Sequence, residues 1–142
     1  MRPMPREKWD GEAGGDPEEA QRLFDSFEIG LCRAVSGADA GNLRALELLG
    51  QALTRAARHQ EALEVDLRVT HLRPRDPTAY YNLACSYSNL ADLDGAFTAL
   101  RRAFELGYKD YPHLLRDPDL ENVRRDRRFK ALLDKKWGKR QP

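Results

Sequence analysis

An all-α fold, built as a short stack of antiparallel helix pairs, is what this sequence predicts, and three observations predict it. Apolar residues recur at i, i+3, i+4 and i+7 through most of the chain, the spacing of helices with one buried face. The stretch 43–76 is echoed 34 residues later in 77–110. Small residues keep fixed places inside both copies, where a core would otherwise take something larger. The composition agrees. Of 142 residues, 33% are charged and 41% apolar, which suits one helical domain with a polar exterior.

Residues 1–15, within MRPMPREKWDGEAGGDP, are charged and rich in Gly and Pro, so a disordered tail with Trp9 exposed is expected. The tail has no apolar h-region and does not read as a secretory signal. No run of 18 apolar residues exists anywhere in the chain, which excludes a spanning helix. Residues 16–36 then form an amphipathic capping helix. Asp16 caps it, Pro17 starts it, and Leu23, Phe24, Phe27, Leu31, Ala34 and Val35 make the apolar face expected to pack on the first helix pair. A loop over 36–41 follows.

The first pair is predicted at about 43–57 and 60–73, the second at about 77–90 and 94–107. In the 34-residue register Leu46, Leu49, Gly50 and Leu53 fall on Tyr80, Leu83, Ala84 and Tyr87, and Ala62 falls on Ala96. Pro74 and Pro77 separate the pairs, with Asp76 as cap and Pro77 at the first helical position. Asp94 is expected to cap the fourth of these helices, and Gly107 to end it. Two antiparallel helices on a tight turn cross closely. Gly50 and Ala84, facing Ala62 and Ala96, let the backbones approach, while Leu49, Leu53, Leu83, Tyr87 and Leu100 fill the space around the contact.

This pattern resembles the tetratricopeptide repeat, W-x2-L-G-x2-Y, then A-x3-F, then P. Here it stands as Leu46-x2-Leu49-Gly50-x2-Leu53…Ala62…Pro74 and as Tyr80-x2-Leu83-Ala84-x2-Tyr87…Ala96-x3-Leu100. The resemblance implies a short right-handed α-solenoid, with repeat 1 over 43–76 and repeat 2 over 77–110. One departure stands out: Asp66 sits where a bulky apolar residue is usual, which implies weakened packing or a pairing with a Tyr hydroxyl or an Arg. The closing segment 111–137 resembles a run found after such arrays, of the form D-P-D-L-x-x-(V/L)-R-x-D-x-R-F-x-x-L. Asp117-Pro118 opens a short turn of helix there, and Asp126 caps a last helix carrying Phe129, Leu132, Leu133 and Trp137. Residues 138–142 are read as a tail. Inner repeats expose apolar sides, so the two capping segments are needed for stability.

Chemistry is sparse. The sequence has no phosphate loop and no Gly-x-Ser-x-Gly elbow. His59, His71 and His113 have no Cys or carboxylate partner at metal-ligand spacing, and neither Cys32 nor Cys85 has a nearby base. Neither an enzyme, a metal nor a cofactor is expected. Two buried, reduced thiols suit a reducing, cytoplasmic setting.

What the resemblance implies is a concave groove lined by the first helix of each pair, which takes a peptide or helix of an unidentified partner protein. Its register places Arg44, Glu47, Gln51 and Arg55 there from repeat 1, and Thr78, Tyr81, Asn82, Cys85 and Asn89 from repeat 2, with Arg116 reaching in. One subset of the family clamps acidic chaperone tails. Asn82 matches that subset and Arg116 falls at the spacing of its final Arg, but Glu47, Gln51 and Pro112 replace its Lys, Asn and Lys, and Glu47 would repel a carboxylate. A ligand of mixed charge is expected instead. The alternative surface is the basic C-terminus. From residue 124 nine Lys and Arg face only Asp126 and Asp134, and Arg124, Arg125, Arg127 and Arg128 would carry any nucleic-acid or anionic-surface binding. Phe129 is the one aromatic beside those four arginines and is expected to face the core, so base stacking has little to work with and nucleic acid is not the expected partner. A monomer or weak homo-oligomer is expected.

Overall fold

The computed structural model describes residues 16–38 and 42–136. The expectations for residues 1–15, for Trp137 and for 138–142 lie outside the described residues. Helices run in the order α1 (Pro17–Ala38), α2 (Leu43–Arg55), α3 (His59–Leu72), α4 (Pro77–Asn89), α5 (Leu93–Glu105) and α6 (Tyr111–Arg116). A 3-10 turn (Pro118–Leu120), α7 (Glu121–Arg124) and α8 (Arg127–Lys136) complete the chain, and no strand occurs among the described residues. Each of α1 to α4 packs on the next, and the closing segment folds back on α4 and α5. This is an all-α solenoid of helix pairs. The helices match their expected spans to within one or two residues.

Helix ends follow the sequence signals. The Asp16 carboxylate accepts the Glu18 amide, and Asp76 accepts those of Thr78 and Ala79 ahead of Pro77. Asp126 accepts the Arg128 amide at the start of α8. Gly107 takes φ +103° after α5, a conformation that glycine adopts without a Cβ penalty. One cap differs from expectation. Asp92, not Asp94, accepts the Gly95 amide. The cause is the turn: Ala91 is left-handed at φ 58°, so α5 begins earlier, and Asp94 falls in its first turn. Ala57, 34 residues before Ala91, has the same φ, so the turn itself repeats.

The core is built on the small residues. Ala62, Ala84 and Ala96 are fully buried, as are Leu53 and Leu100 around them. Phe97, Leu114, Leu120 and Val123 are also fully buried, and they join Phe129 and Leu132 to seal the last pair beneath the closing segment.

Helix α1 packs on α2, but not with the face its composition suggests. Ile29 and Cys32 are buried against Leu49, Ala52 and Leu53. Leu23, Phe24, Phe27, Leu31 and Val35 point to solvent. Two ion pairs accompany this rotation: Arg55 with Glu28 at 2.7 Å, and Arg33 with Glu61 at 2.5 Å. Turning the aromatic stripe inward would break both.

Candidate functional site

A groove of about 300 Å³ lies between α2, α4 and the closing segment. Helix α2 contributes Glu47, Gly50, Gln51, Thr54 and Arg55, and α4 contributes Ala79, Tyr81, Asn82 and Cys85. Asp66 and Val69 of α3 lie at its base, and His113, Asp117 and Asp119 close one end. Six expected groove residues therefore come together: Glu47, Gln51, Arg55, Tyr81, Asn82 and Cys85.

Four others lie off this lining. Arg44 is exposed and stands 3.9 Å from Glu47. Thr78 is exposed beside an adjoining hollow shared with Tyr81, Asn82 and His113. Asn89 donates to Asp119 Oδ1 at 3.2 Å. Arg116 is exposed at the end of α6, because that helix stops after six residues and the chain turns away at Asp117.

Tyr81 and Cys85, one turn apart on α4, are buried floor and not free contact surface. The Tyr81 hydroxyl donates to Asp117 Oδ2 at 2.6 Å, and its ring stacks on Tyr108 with centroids 4.3 Å apart. The Cys85 thiol points to the same carboxylate oxygen at 3.8 Å, and His113 Nε2 lies 3.1 Å from it. The other oxygen of Asp117 accepts the Asp119 amide. Burial pushes the Tyr81 phenol well above its ordinary range, and burial with the Asp117 charge does the same to the Cys85 thiol. Both stay protonated and act as donors. The thiol is no nucleophile in this state.

The sequence expectation that no histidine has a carboxylate partner at metal-ligand spacing is corrected for His113. His113 and Asp117 are four residues apart, a helical spacing that already put them on one face. Folding further brings ligand atoms of Cys85, Asp117 and Asp119 within 4.8 Å of one another. A thiol and two carboxylates are donor types that hold cations. In this arrangement, though, these atoms serve each other: the thiol is protonated and the Asp117 oxygens accept from Tyr81 and the Asp119 amide.

Asp66 is paired differently from either expected partner. It is buried, and the Ser86 hydroxyl donates to it at 2.5 Å. Burial raises its pKa to about 6, with the Ser86 bond opposing the shift. The partner is Ser86 of α4, a short hydroxyl on the facing helix, in place of a tyrosine or an arginine. Gly50 is small for the same contact, since a Cβ there would stand 3.0 Å from Asp66 Oδ1.

The lining thus carries four carboxylates, Glu47, Asp66, Asp117 and Asp119, against Arg55 and His113. Arg55 is itself held by both oxygens of Glu28. The mixed balance read from sequence becomes acid-rich, because Arg44 and Arg116 do not reach the lining.

The basic segment is largely occupied. Arg124 donates to the carbonyls of Leu114 and Asp117. Arg125 pairs with Glu121, and Arg128 pairs with Asp126 and Asp94 while lying over the Phe97 ring at 4.6 Å. Arg127 is exposed.

Residues 77–106 match the tetratricopeptide repeat family. A chloroplastic protein of Arabidopsis thaliana is 34% identical over 87 residues, covering 59% of this chain and 26% of that protein. The chain spans about a quarter of the length of this curated relative. No solved structure matches the chain.

Proposed function

The chain being a helical-repeat protein of the tetratricopeptide type, we propose that it is a non-catalytic adaptor whose groove holds a segment of a partner protein carrying a lysine or arginine. The observation that carries this reading is the acid-rich lining of a concave, preformed groove. Glu47, Gln51 and Asn82 are its exposed or half-exposed contacts, and the Tyr81–Asp117 network beneath keeps the floor rigid. The same lining disfavours an acidic chaperone tail. Nucleic acid or an anionic surface is the weaker reading, since Arg124, Arg125 and Arg128 already serve carbonyls and carboxylates. With Cys32 and Cys85 both free, the setting we infer is reducing and cytoplasmic.

Capture from a source-cell lysate, read by mass spectrometry, tests the proposal. Wild type is compared with Glu47→Lys/Asn82→Ala, after circular dichroism shows both folded. A protein retained by wild type and lost by the variant supports the groove. The same set with both proteins, or capture of nucleic acid, overturns it.

A further inference from the structure

Among the described residues nothing covers the outward face of α1. Leu23, Phe24, Phe27, Leu31 and Val35 are 68%, 61%, 71%, 56% and 43% exposed, on one helix of 22 residues. Apolar residues scattered singly on a surface need no account, but a continuous stripe does. Ala20, Phe24, Phe27, Leu31 and Ala34 follow 4-3-4-3 spacing, which is that of a helix-to-helix seam.

We propose that a second copy of this chain covers the stripe, through an antiparallel α1–α1 pairing about a twofold axis at Phe27. Such a contact demands a surface complementary to itself, in which residue i meets j and j meets i. Helix α1 meets that demand. About Phe27 the stripe reads Ala20, Leu23, Phe27, Leu31, Ala34, the same residue types at equal steps on either side. Phe24 falls opposite Gly30 of the second copy. The space there is open, with nothing within 4 Å of where a Gly30 Cβ would stand. The charges are also compatible. Glu18 opposes Ser36, Gln21 opposes Arg33, Arg22 opposes Cys32 and Ser26 opposes Glu28, so no opposed pair along α1 carries like charge. A parallel pairing would set Glu18 and Glu19 against their own copies. One helix about 33 Å long offers less than the roughly 1,200–2,000 Å² of a standard interface, so the dimer is weak and concentration-dependent.

Sedimentation equilibrium of the full chain, from low micromolar to near-millimolar concentration, tests this. The mean mass is expected to climb from 16.2 kDa towards twice that value. Phe27→Glu, at an exposed position, is expected to stay at the monomer mass with an unchanged circular dichroism spectrum. Mild oxidation of Phe27→Cys is expected to give a covalent dimer, because position 27 meets itself on the axis. Ala20→Cys is expected not to, since its two copies stand about 21 Å apart along an antiparallel pair. A wild type that stays monomeric throughout overturns the proposal and leaves the face to a partner's helix or to residues 1–15. A dimer that Phe27→Glu leaves intact also overturns it. So does Ala20→Cys cross-linking as readily as Phe27→Cys, which is the sign of a parallel pair.

Discussion

The Tyr81 hydroxyl reaches Asp117 Oδ2 across 36 residues of chain, and this buried bond ties the groove floor to the closing segment. Tyr81→Phe keeps the ring stacked on Tyr108 but removes the donor. A buried hydrogen bond to a carboxylate is worth roughly 1.5–3 kcal/mol, so the variant should lose about that much stability. Chemical denaturation should show a lower midpoint with an unchanged slope. Asn82→Ala, half-buried on the rim, should shift stability by less than about 0.5 kcal/mol. It is therefore the cleaner probe of binding.

Asp66 makes stability depend on pH in an unusual direction for a carboxylate. Its folded pKa is raised from 3.8 to about 6, because burial penalises the charge more than Ser86 supports it. Between these values the folded state binds more protons than the unfolded state. The stabilising contribution is fully present below about pH 4 and is lost as pH rises through about 6. Asp66→Asn keeps an acceptor for Ser86 and removes the titration. Denaturation curves should coincide for the two proteins at pH 4, with the variant more stable by roughly 1–3 kcal/mol at pH 8.

The helix pairs were legible in the sequence because a 34-residue period fixes spacing, turns and small residues together. Ala62, Ala84 and Ala96 are buried where that period puts them. The rotation of α1 was not legible. Its most apolar stripe and its packing stripe differ, and the packed side is marked by contacts with Arg55 and Glu61, 27 and 28 residues away in the chain. The groove was half legible. Glu47, Gln51, Arg55 and Asn82 follow from the register, whereas the end wall of Asp117 and Asp119 comes from a segment outside the repeat. The pairing of His113 with Asp117 was available as a four-residue spacing and was missed.

Arginines of the closing segment should separate by role. Arg124 holds the carbonyls of Leu114 and Asp117 at the C-terminal end of α6, so Arg124→Ala leaves both acceptors without that donor. Its melting temperature should fall, with a loss of about 1–3 kcal/mol. Arg127→Ala, at an exposed position, should melt as wild type does. A matching fall in both would mean that the segment is held by its net charge and not by these hydrogen bonds.

Ala57 and Ala91 each occupy the left-handed region at φ 58°, at equivalent turns of the two repeats. A Cβ in that region costs roughly 1–2 kcal/mol, and glycine removes the penalty while giving part of it back as unfolded-chain entropy. Ala57→Gly and Ala91→Gly should each stabilise the protein by about 0.5–1 kcal/mol in thermal or chemical melts. The double variant tests whether the two turns act independently, in which case it should show the sum.

Where α4 meets α5 the tolerance for bulk is least. Ala84 and Ala96 are fully buried, and a Cβ on Gly95 would stand 2.8 Å from Tyr87 Cδ1 and 3.0 Å from its Cγ. The ring would have to move from its root, not merely at its tip. Ala84→Leu or Ala96→Leu should therefore overpack the crossing and cost roughly 1–3 kcal/mol. Gly95→Ala gives the sharper test, because helix propensity alone predicts a gain, up to about 1 kcal/mol at an interior position and less in this first turn. Steric crowding against Tyr87 should reverse that sign, and Tyr87→Ala should restore the gain. If Gly95→Ala raises the melting temperature in the wild-type background, the crossing is looser than these distances require.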